Sequence, residues 1–176
     1  MWRVALICIS LLSCALGEEE EKSVCFPGFQ EINGKCYYFS AQGEDISWHG
    51  ARDTCINYGG DLAAMGKSCV EDITFMQEMI SRGISITWVG ASDLAIPGTF
   101  RWVDGEDVDP YFQSWYPEQP QNDLYSCAYL KKTDLNERMY MHNGLCSNPH
   151  SYICEVPLTK KSKKKQEGIK ATSSGQ

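Results

Sequence analysis

The chain has 176 residues, and its 23 acidic residues outnumber its 16 lysines and arginines, so that the net charge is −7 at pH 7. An acidic body repels the phosphate backbone, which excludes nucleic acid as an expected partner. The length is sufficient for one domain with a hydrophobic core of its own.

Residues 1–17 form the first predicted element, a secretory signal peptide. Arg3 supplies the positive start, residues 4–16 form an apolar run, and Ala15-Leu16-Gly17 form a small-residue cleavage site. A membrane anchor is the alternative, but the run is shorter than the roughly 20 residues that a spanning helix needs. We therefore expect a secreted, extracellular protein without a membrane span, beginning with an acidic segment at residues 18–24.

A β-hairpin and two helices are predicted next. The hairpin turns at Asn33-Gly34, because both residues tolerate positive φ. Apolar residues at helical spacing predict helices over 47–58 and 70–82, which end at Gly59-Gly60 and Gly83, and Ser68 with Glu71 forms a capping box for the second. The residues expected to face inward are Trp48, Ala51, Cys55 and Ile56 in the first helix and Ile73, Met76 and Ile80 in the second.

Short strand patterns fill most of the remaining chain, at residues 84–89, 99–103, 127–130, 139–141 and 151–156. A long, turn-rich loop between residues 104 and 126 contains Pro110, Pro117 and Pro120. This order is typical of an α+β fold in which two helices pack on short antiparallel sheets and a long loop projects from them.

Seven cysteines follow the predicted leader, at Cys25, Cys36, Cys55, Cys69, Cys127, Cys146 and Cys154. Cysteines this frequent behind a secretion signal are typical of disulfide staples, although the residues alone leave their connectivity open.

The ordered landmarks of residues 25–157 resemble the C-type lectin-like domain family, in its long form with an N-terminal hairpin. They are Cys25-Phe26-Pro27-Gly28-Phe29, Cys36-Tyr37, Gly60-Asp61-Leu62-Ala63, Trp88-Val89-Gly90, Phe100-Arg101-Trp102, Cys127, Cys146 and Cys154-Glu155. The resemblance implies the C-type lectin-like fold and the disulfides Cys25–Cys36, Cys55–Cys154 and Cys127–Cys146.

This pairing leaves Cys69 over. It lies at a predicted helix start, where the macrodipole favours a thiolate. Two roles are therefore possible for Cys69: an intermolecular disulfide in a dimer, or a buried free thiol. The basic segment at residues 158–176 is expected to be a disordered tail, either an electrostatic patch or a merely solvated end.

Where members of this family bind sugar, they hold a calcium ion with carboxylates and amides of the long loop. The corresponding positions here read Gln119-Pro120-Gln121, Tyr125 and His142-Asn143. Ca²⁺ prefers about six to eight oxygen ligands, and tight sites use several carboxylates. These positions offer neutral amides and an imidazole nitrogen, a poor match to calcium.

We therefore expect no cofactor and no tight metal site. An auxiliary calcium position would use Asp93, but Pro97 and Ser126 stand where acids are usual. A non-standard site would have to use Asp123 or the acidic residues from Asp104 to Asp109.

The resemblance implies a binding protein, and the chain carries no nucleophile or phosphate-loop motif that would indicate an enzyme. The expected partners are glycans on microbial or cell surfaces, in innate recognition or agglutination; the alternatives are a calcium-independent protein-binding module and an extracellular matrix or mineral-associated protein. Amides that bond sugar hydroxyls and aromatic rings that stack on sugars are the candidate contacts. They are Gln119, Gln121, Asn122, Asp123, Tyr125, His142, Asn143, Trp115 and Tyr116.

Overall fold

The computed structural model describes residues 23–66, 69–109, 115–121, 125–133 and 138–160. The predicted signal peptide and residues 18–22 and 161–176 lie outside the described residues. Within the described part, the chain forms two helices, α1 (Trp48–Asn57) and α2 (Cys69–Ser81). The strands are β1 (Ser23–Val24), β2 (Gln30–Ile32), β3 (Lys35–Phe39), β4 (Asp61–Leu62), β5 (Ile86–Ser92), β6 (Arg101–Trp102), β7 (Cys127–Lys132), β8 (Met139–Gly144), β9 (Ser151–Val156) and β10 (Thr159–Lys160).

The α1 helix begins and ends where its sequence predicts. The Ser47 hydroxyl accepts a hydrogen bond from the Gly50 N–H at 3.2 Å, which satisfies one free donor of the first turn. Trp48, Ala51 and Cys55 are buried, at spacings of three and four residues. Ile56 is 50% exposed, so the expectation that it faces inward was wrong, because it lies one position past this stripe.

The α2 helix buries only part of the predicted face: Met76 is buried and Ile80 packs against the core, as expected. Asp72, Phe75, Met76 and Met79 are buried, whereas Ile73 is 42% exposed, so the expectation for Ile73 was wrong. Asp72 takes the inward position of this turn, where its carboxylate accepts from the Gly66 N–H at 3.0 Å, and Ile73, one position farther round the helix, faces solvent. Burial raises the pKa of Asp72. The capping residue Ser68 lies outside the described residues.

Eight strands of the described chain form one mixed sheet, in the order β2-β3-β9-β5-β7-β8, with β4 paired to β9 and β6 to β5. The fold class is confirmed, and the strand pairs are antiparallel as expected except for β5 and β9, which run parallel and make the sheet mixed. After the antiparallel β7–β8 pair, the chain returns through residues 145–150 and places β9 between β3 and β5.

Three disulfides connect these elements, and they are the pairs that the resemblance implies. Cys25–Cys36 joins the chain before the hairpin to β3, Cys55–Cys154 joins α1 to β9, and Cys127–Cys146 joins the start of β7 to the turn after β8. Trp48 and Trp88 are fully buried around the second and third bridges.

The two ends of the described chain lie side by side. Ser23–Val24 pairs antiparallel with Thr159–Lys160, with Ser23 opposite Lys160. These last two residues belong to the segment that the sequence assigned to the tail. Neither helix in the described part of the chain is long and apolar enough to cross a membrane.

Candidate ligand-binding loop

The long loop is anchored along β8 by Trp115 and Tyr116. Trp115 forms a bridge with Met141, and the Tyr116 N–H donates to the Met141 carbonyl at 2.9 Å. The Trp115 ring is 8% exposed and packs edge-on against Phe100, with ring centroids 5.3 Å apart. Trp115 therefore fastens the loop to the core and presents little surface to a ligand.

Asn143 is the centre of a hydrogen-bond network that holds the loop. Its side-chain oxygen accepts from the Gln121 N–H at 2.8 Å. Its amide nitrogen donates to the carbonyls of Gln121 and Tyr125, the latter at 2.6 Å. Its backbone N–H donates to the side-chain oxygen of Gln119 at 3.1 Å. One buried amide thus fixes the backbone on both sides of residues 122–124, which lie outside the described residues.

His142 lies on the other face of β8, between two tyrosine rings. Its ring stacks on Tyr116 at 4.8 Å and on Tyr129 at 5.4 Å, the latter being its partner across the β7–β8 ladder. His142 is 9% exposed. Its Nε2 is buried without a hydrogen-bond partner in the described part of the chain. Burial, with a smaller contribution from the charge of Lys131, lowers the pKa of His142 to about 4.

Fewer residues of the site face solvent than the predicted set contains. Gln121 and Tyr125 are exposed, and Gln119 and Tyr116 are half-buried. Asn122 and Asp123 lie outside the described residues. The structure therefore brings Gln119, Gln121, Tyr125 and Asn143 into one network, with His142 beneath it. Sequence reasoning missed Tyr129, whose role depends on strand pairing that no local pattern reveals.

The residues at the calcium position do not fit that ion. The Asn143 oxygen already accepts an N–H, its nitrogen faces two carbonyls, and the Gln119 oxygen is also occupied. No group of three or more His, Cys, Asp or Glu side chains in the described ranges is placed to hold a metal. Calcium needs several converging oxygens, and the residues at this position do not supply them.

The other acidic positions also have protein partners. Asp107 pairs with Arg101 at 2.7 Å, and the Asp104 carboxylate accepts from the Glu106 N–H at 3.2 Å. Asp93 accepts from the Gly98 N–H at 2.8 Å, while its second oxygen is buried without a hydrogen-bond partner among the described residues. A single such carboxylate is a small part of a calcium shell.

Residues 44–156 match the family model described as the Lectin C-type domain. The chain belongs to the C-type lectin-like domain family. It is 30% identical over 161 residues to asialoglycoprotein receptor 1 of Mus musculus, an alignment that covers 85% of this chain and 52% of the receptor. It is 24% identical over 135 residues to the type-2 ice-structuring protein of Osmerus mordax, covering 77% of this chain and 73% of that protein.

Solved structures show the same fold. A calcium-independent type II antifreeze protein matches with a TM-score of 0.64 and 24% identity, over 80% of this chain and 99% of that one. The carbohydrate-recognition domain of the mouse scavenger receptor C-type lectin matches with a TM-score of 0.63 and 24% identity, over 78% of this chain and 100% of that one. The chain spans about half of asialoglycoprotein receptor 1 and 6% of human C-type mannose receptor 2. The relatives are binding proteins that include carbohydrate receptors and antifreeze proteins.

Proposed function

We propose that this protein is a secreted C-type lectin-like protein that recognises glycans on microbial or cell surfaces through the exposed edge of the long loop, in innate recognition. The observation that carries this proposal is the Asn143 network, which holds the loop backbone through hydrogen bonds between protein groups. A loop held in its binding conformation loses less entropy when a ligand arrives. Recognition then needs no tightly bound calcium.

The chemistry of the exposed edge suits sugar hydroxyls. The Gln121 side chain offers an amide donor and acceptor, and Tyr125, 36% exposed, offers a ring face and a hydroxyl. The name of asialoglycoprotein receptor 1 indicates a glycoprotein ligand for that relative. For this chain we infer only the same class of ligand, a glycan, and not a particular sugar.

Multivalency would strengthen such weak contacts. An intermolecular disulfide through Cys69 would give a covalent dimer, and two linked sites bind a multivalent surface far more tightly than one. Cys69 begins α2, although its side chain lies outside the described residues. Non-reducing gel electrophoresis of the protein and of its Cys69→Ser variant tests this part of the proposal.

A glycan array probed with the oxidised protein, with and without EDTA, tests the central proposal. We expect binding that persists in EDTA and falls at least about tenfold in Gln121→Ala and Tyr125→Ala. Asn143→Ala should also weaken binding, because it leaves the loop backbone groups of Gln121 and Tyr125 unpaired. Ile73→Ala, an exposed apolar truncation on α2, is the matched control and should bind like the parent protein. Binding that vanishes in EDTA, or no glycan binding at all, would contradict the proposal.

A calcium-independent protein-binding role is the second candidate, because an exposed aromatic cluster lies away from the loop. Phe26, Ile56 and Tyr58 are 48%, 50% and 41% exposed. Phe29 packs between Phe26 and Tyr58, with ring centroids 6.4 and 5.6 Å away. Exposed apolar patches of this kind mark protein interfaces. This role predicts cell-surface binding that survives enzymatic deglycosylation and is lost in Phe26→Ser.

A further inference from the structure

A cavity of about 450 Å³ lies at the end of the sheet opposite the long loop. We name it the basal cavity, and its lining includes Phe39, Ser40, Asp45, Arg82, Ser85 and Ser151. The β5 strand runs from Ile86, beside this cavity, to Ser92, beside Cys127 where the long loop returns. At ~3.3 Å per residue, the two sites are roughly 20 Å apart. The volume lies within the range of roughly 300–1,000 Å³ typical of small-molecule sites.

One wall of the basal cavity is a fixed guanidinium. The Arg82 Nε and Nη2 atoms lie 2.9 and 2.8 Å from a single carboxylate oxygen of Glu78, and Nη2 also donates to the side-chain oxygen of Gln30. The guanidinium covers the ring of Phe39, 4.1 Å from its centroid. Arg82 is therefore held in place by three side chains from α2, β2 and β3.

The remaining lining offers hydrogen-bond donors and acceptors together. The Ser40 hydroxyl accepts from the Tyr152 N–H at 3.0 Å and can still donate its own proton. The Ser151 hydroxyl donates to the Ile86 carbonyl and can still accept. Asp45 and Ser85 stand exposed in the lining, and Ile86 adds a half-buried apolar edge.

These features select among ligand classes. Arg82 is neutralised by Glu78, and Asp45 adds a negative charge, so the lining provides no net positive field for a phosphate or sulfate. The Arg82 guanidinium covers one face of the Phe39 ring, which leaves less stacking surface for a nucleobase. The polar majority of the lining does not suit an acyl chain. The ligand class that remains is a neutral molecule that has hydroxyls on its edges and C–H groups on its faces.

We propose that the basal cavity binds a neutral saccharide unit without a metal ion. This site is independent of the long loop, so it goes beyond the proposed function and does not rest on it. With two sites at opposite ends of β5, one monomer would be able to bridge two glycans. Agglutination would then not require a dimer.

Backbone amide NMR of the intact, oxidised chain in EDTA tests this proposal. The probes are the methyl glycosides of mannose, galactose and N-acetylglucosamine. For at least one probe we expect saturable shifts at Gly43, Gly83 and Ser85. Ser85→Trp, which fills the cavity, should weaken that binding at least about tenfold. Ile73→Trp places the same side chain at an exposed α2 position outside the lining and should leave binding unchanged.

Two outcomes would overturn the proposal: no saturable shift at these amides with any of the three probes, or equal affinities in Ser85→Trp and Ile73→Trp. Gln42→Trp, at an exposed position of the same lining, replaces Ser85→Trp if that variant does not fold. Tyr125→Ala should leave the basal shifts intact. Failure at the long loop and failure at the basal cavity are therefore separate results.

Discussion

At the scale of single residues, His142 links the site to pH. Its ring is enclosed by Tyr116 and Tyr129, and burial lowers its pKa from 6.5 to about 4. The unfolded chain takes up a proton near pH 6.5, whereas the folded chain does so only near pH 4. The contribution of His142 to the free energy of unfolding is therefore fully present above pH 6.5. About 3 kcal/mol of it is lost as the pH falls toward 4.

Urea unfolding at pH 7 and at pH 4 measures this loss. The His142→Phe variant keeps an aromatic ring in the stack and removes the titration. Between pH 7 and pH 4 we expect the free energy of unfolding to fall in both proteins. The fall should be about 3 kcal/mol smaller in the variant than in the parent protein. Carboxylates contribute equally to both proteins, so the difference isolates His142. Equal pH dependence in both proteins would show that His142 is not the group responsible.

The sequence placed His142 and Asn143 in the candidate site but could not assign their separate roles. The resemblance to the C-type lectin-like family located the pair, because the family places ligand residues three and four positions before the cysteine that corresponds to Cys146. Which of the two faces the loop and which faces the tyrosines depends on the β7–β8 register, where His142 lies opposite Tyr129. A shift of one residue would exchange them. In α2 the inward position of Asp72 likewise depends on a contact, with Gly66, that the helical pattern does not contain.

At the scale of elements, the end of α1 depends on two glycines with different functions. Gly59 has a φ of 85° and open space around an added Cβ. At Gly60 an added Cβ would lie 2.0 Å from the Glu155 carbonyl oxygen of β9. We expect Gly59→Ala to cost about 1 kcal/mol through backbone strain. Gly60→Ala should cost about 3 kcal/mol, because the β9 backbone must move.

Urea unfolding midpoints of the two variants, with unchanged slopes, give both values. The pair serves as its own control, since each variant adds one methyl group to adjacent positions. A larger loss in Gly59→Ala than in Gly60→Ala would mean that strain, and not close packing, sets the end of this helix.

Elements defined by local patterns were predicted well, and those defined by distant contacts were not. The predicted strand at 151–156 agrees with β9, and the helix over 47–58 agrees with α1 and its two caps. The strand predicted at 84–89 instead occupies Ile86–Ser92. Its position is set by pairing with β7 and β9, far away in the chain. The parallel β5–β9 pair, and with it the basal cavity, could not be read from either segment alone.

At the scale of the whole molecule, the disulfides differ in how much of the chain they constrain. Cys55–Cys154 spans a separation of 99 residues, and Cys25–Cys36 spans 11. A cross-link stabilises the fold mainly by restricting the unfolded chain, and its effect grows with the logarithm of loop length. Replacing both Cys55 and Cys154 by Ala should therefore destabilise the protein by about 2 kcal/mol more than the same change at Cys25 and Cys36.

Guanidinium unfolding of the two double variants, each also carrying Cys69→Ser to prevent thiol exchange, measures this difference. The space left by the removed sulfur atoms adds to this difference in stability in the same direction. Cys55 and Cys154 are both fully buried between α1 and β9, whereas in the shorter bridge Cys36 is buried and Cys25 is only half-buried, so the longer bridge leaves the larger unfilled space. A loss in Cys25→Ala/Cys36→Ala as large as in the other variant would contradict both contributions. The fold would then depend on its hairpin more than on the joint between α1 and β9.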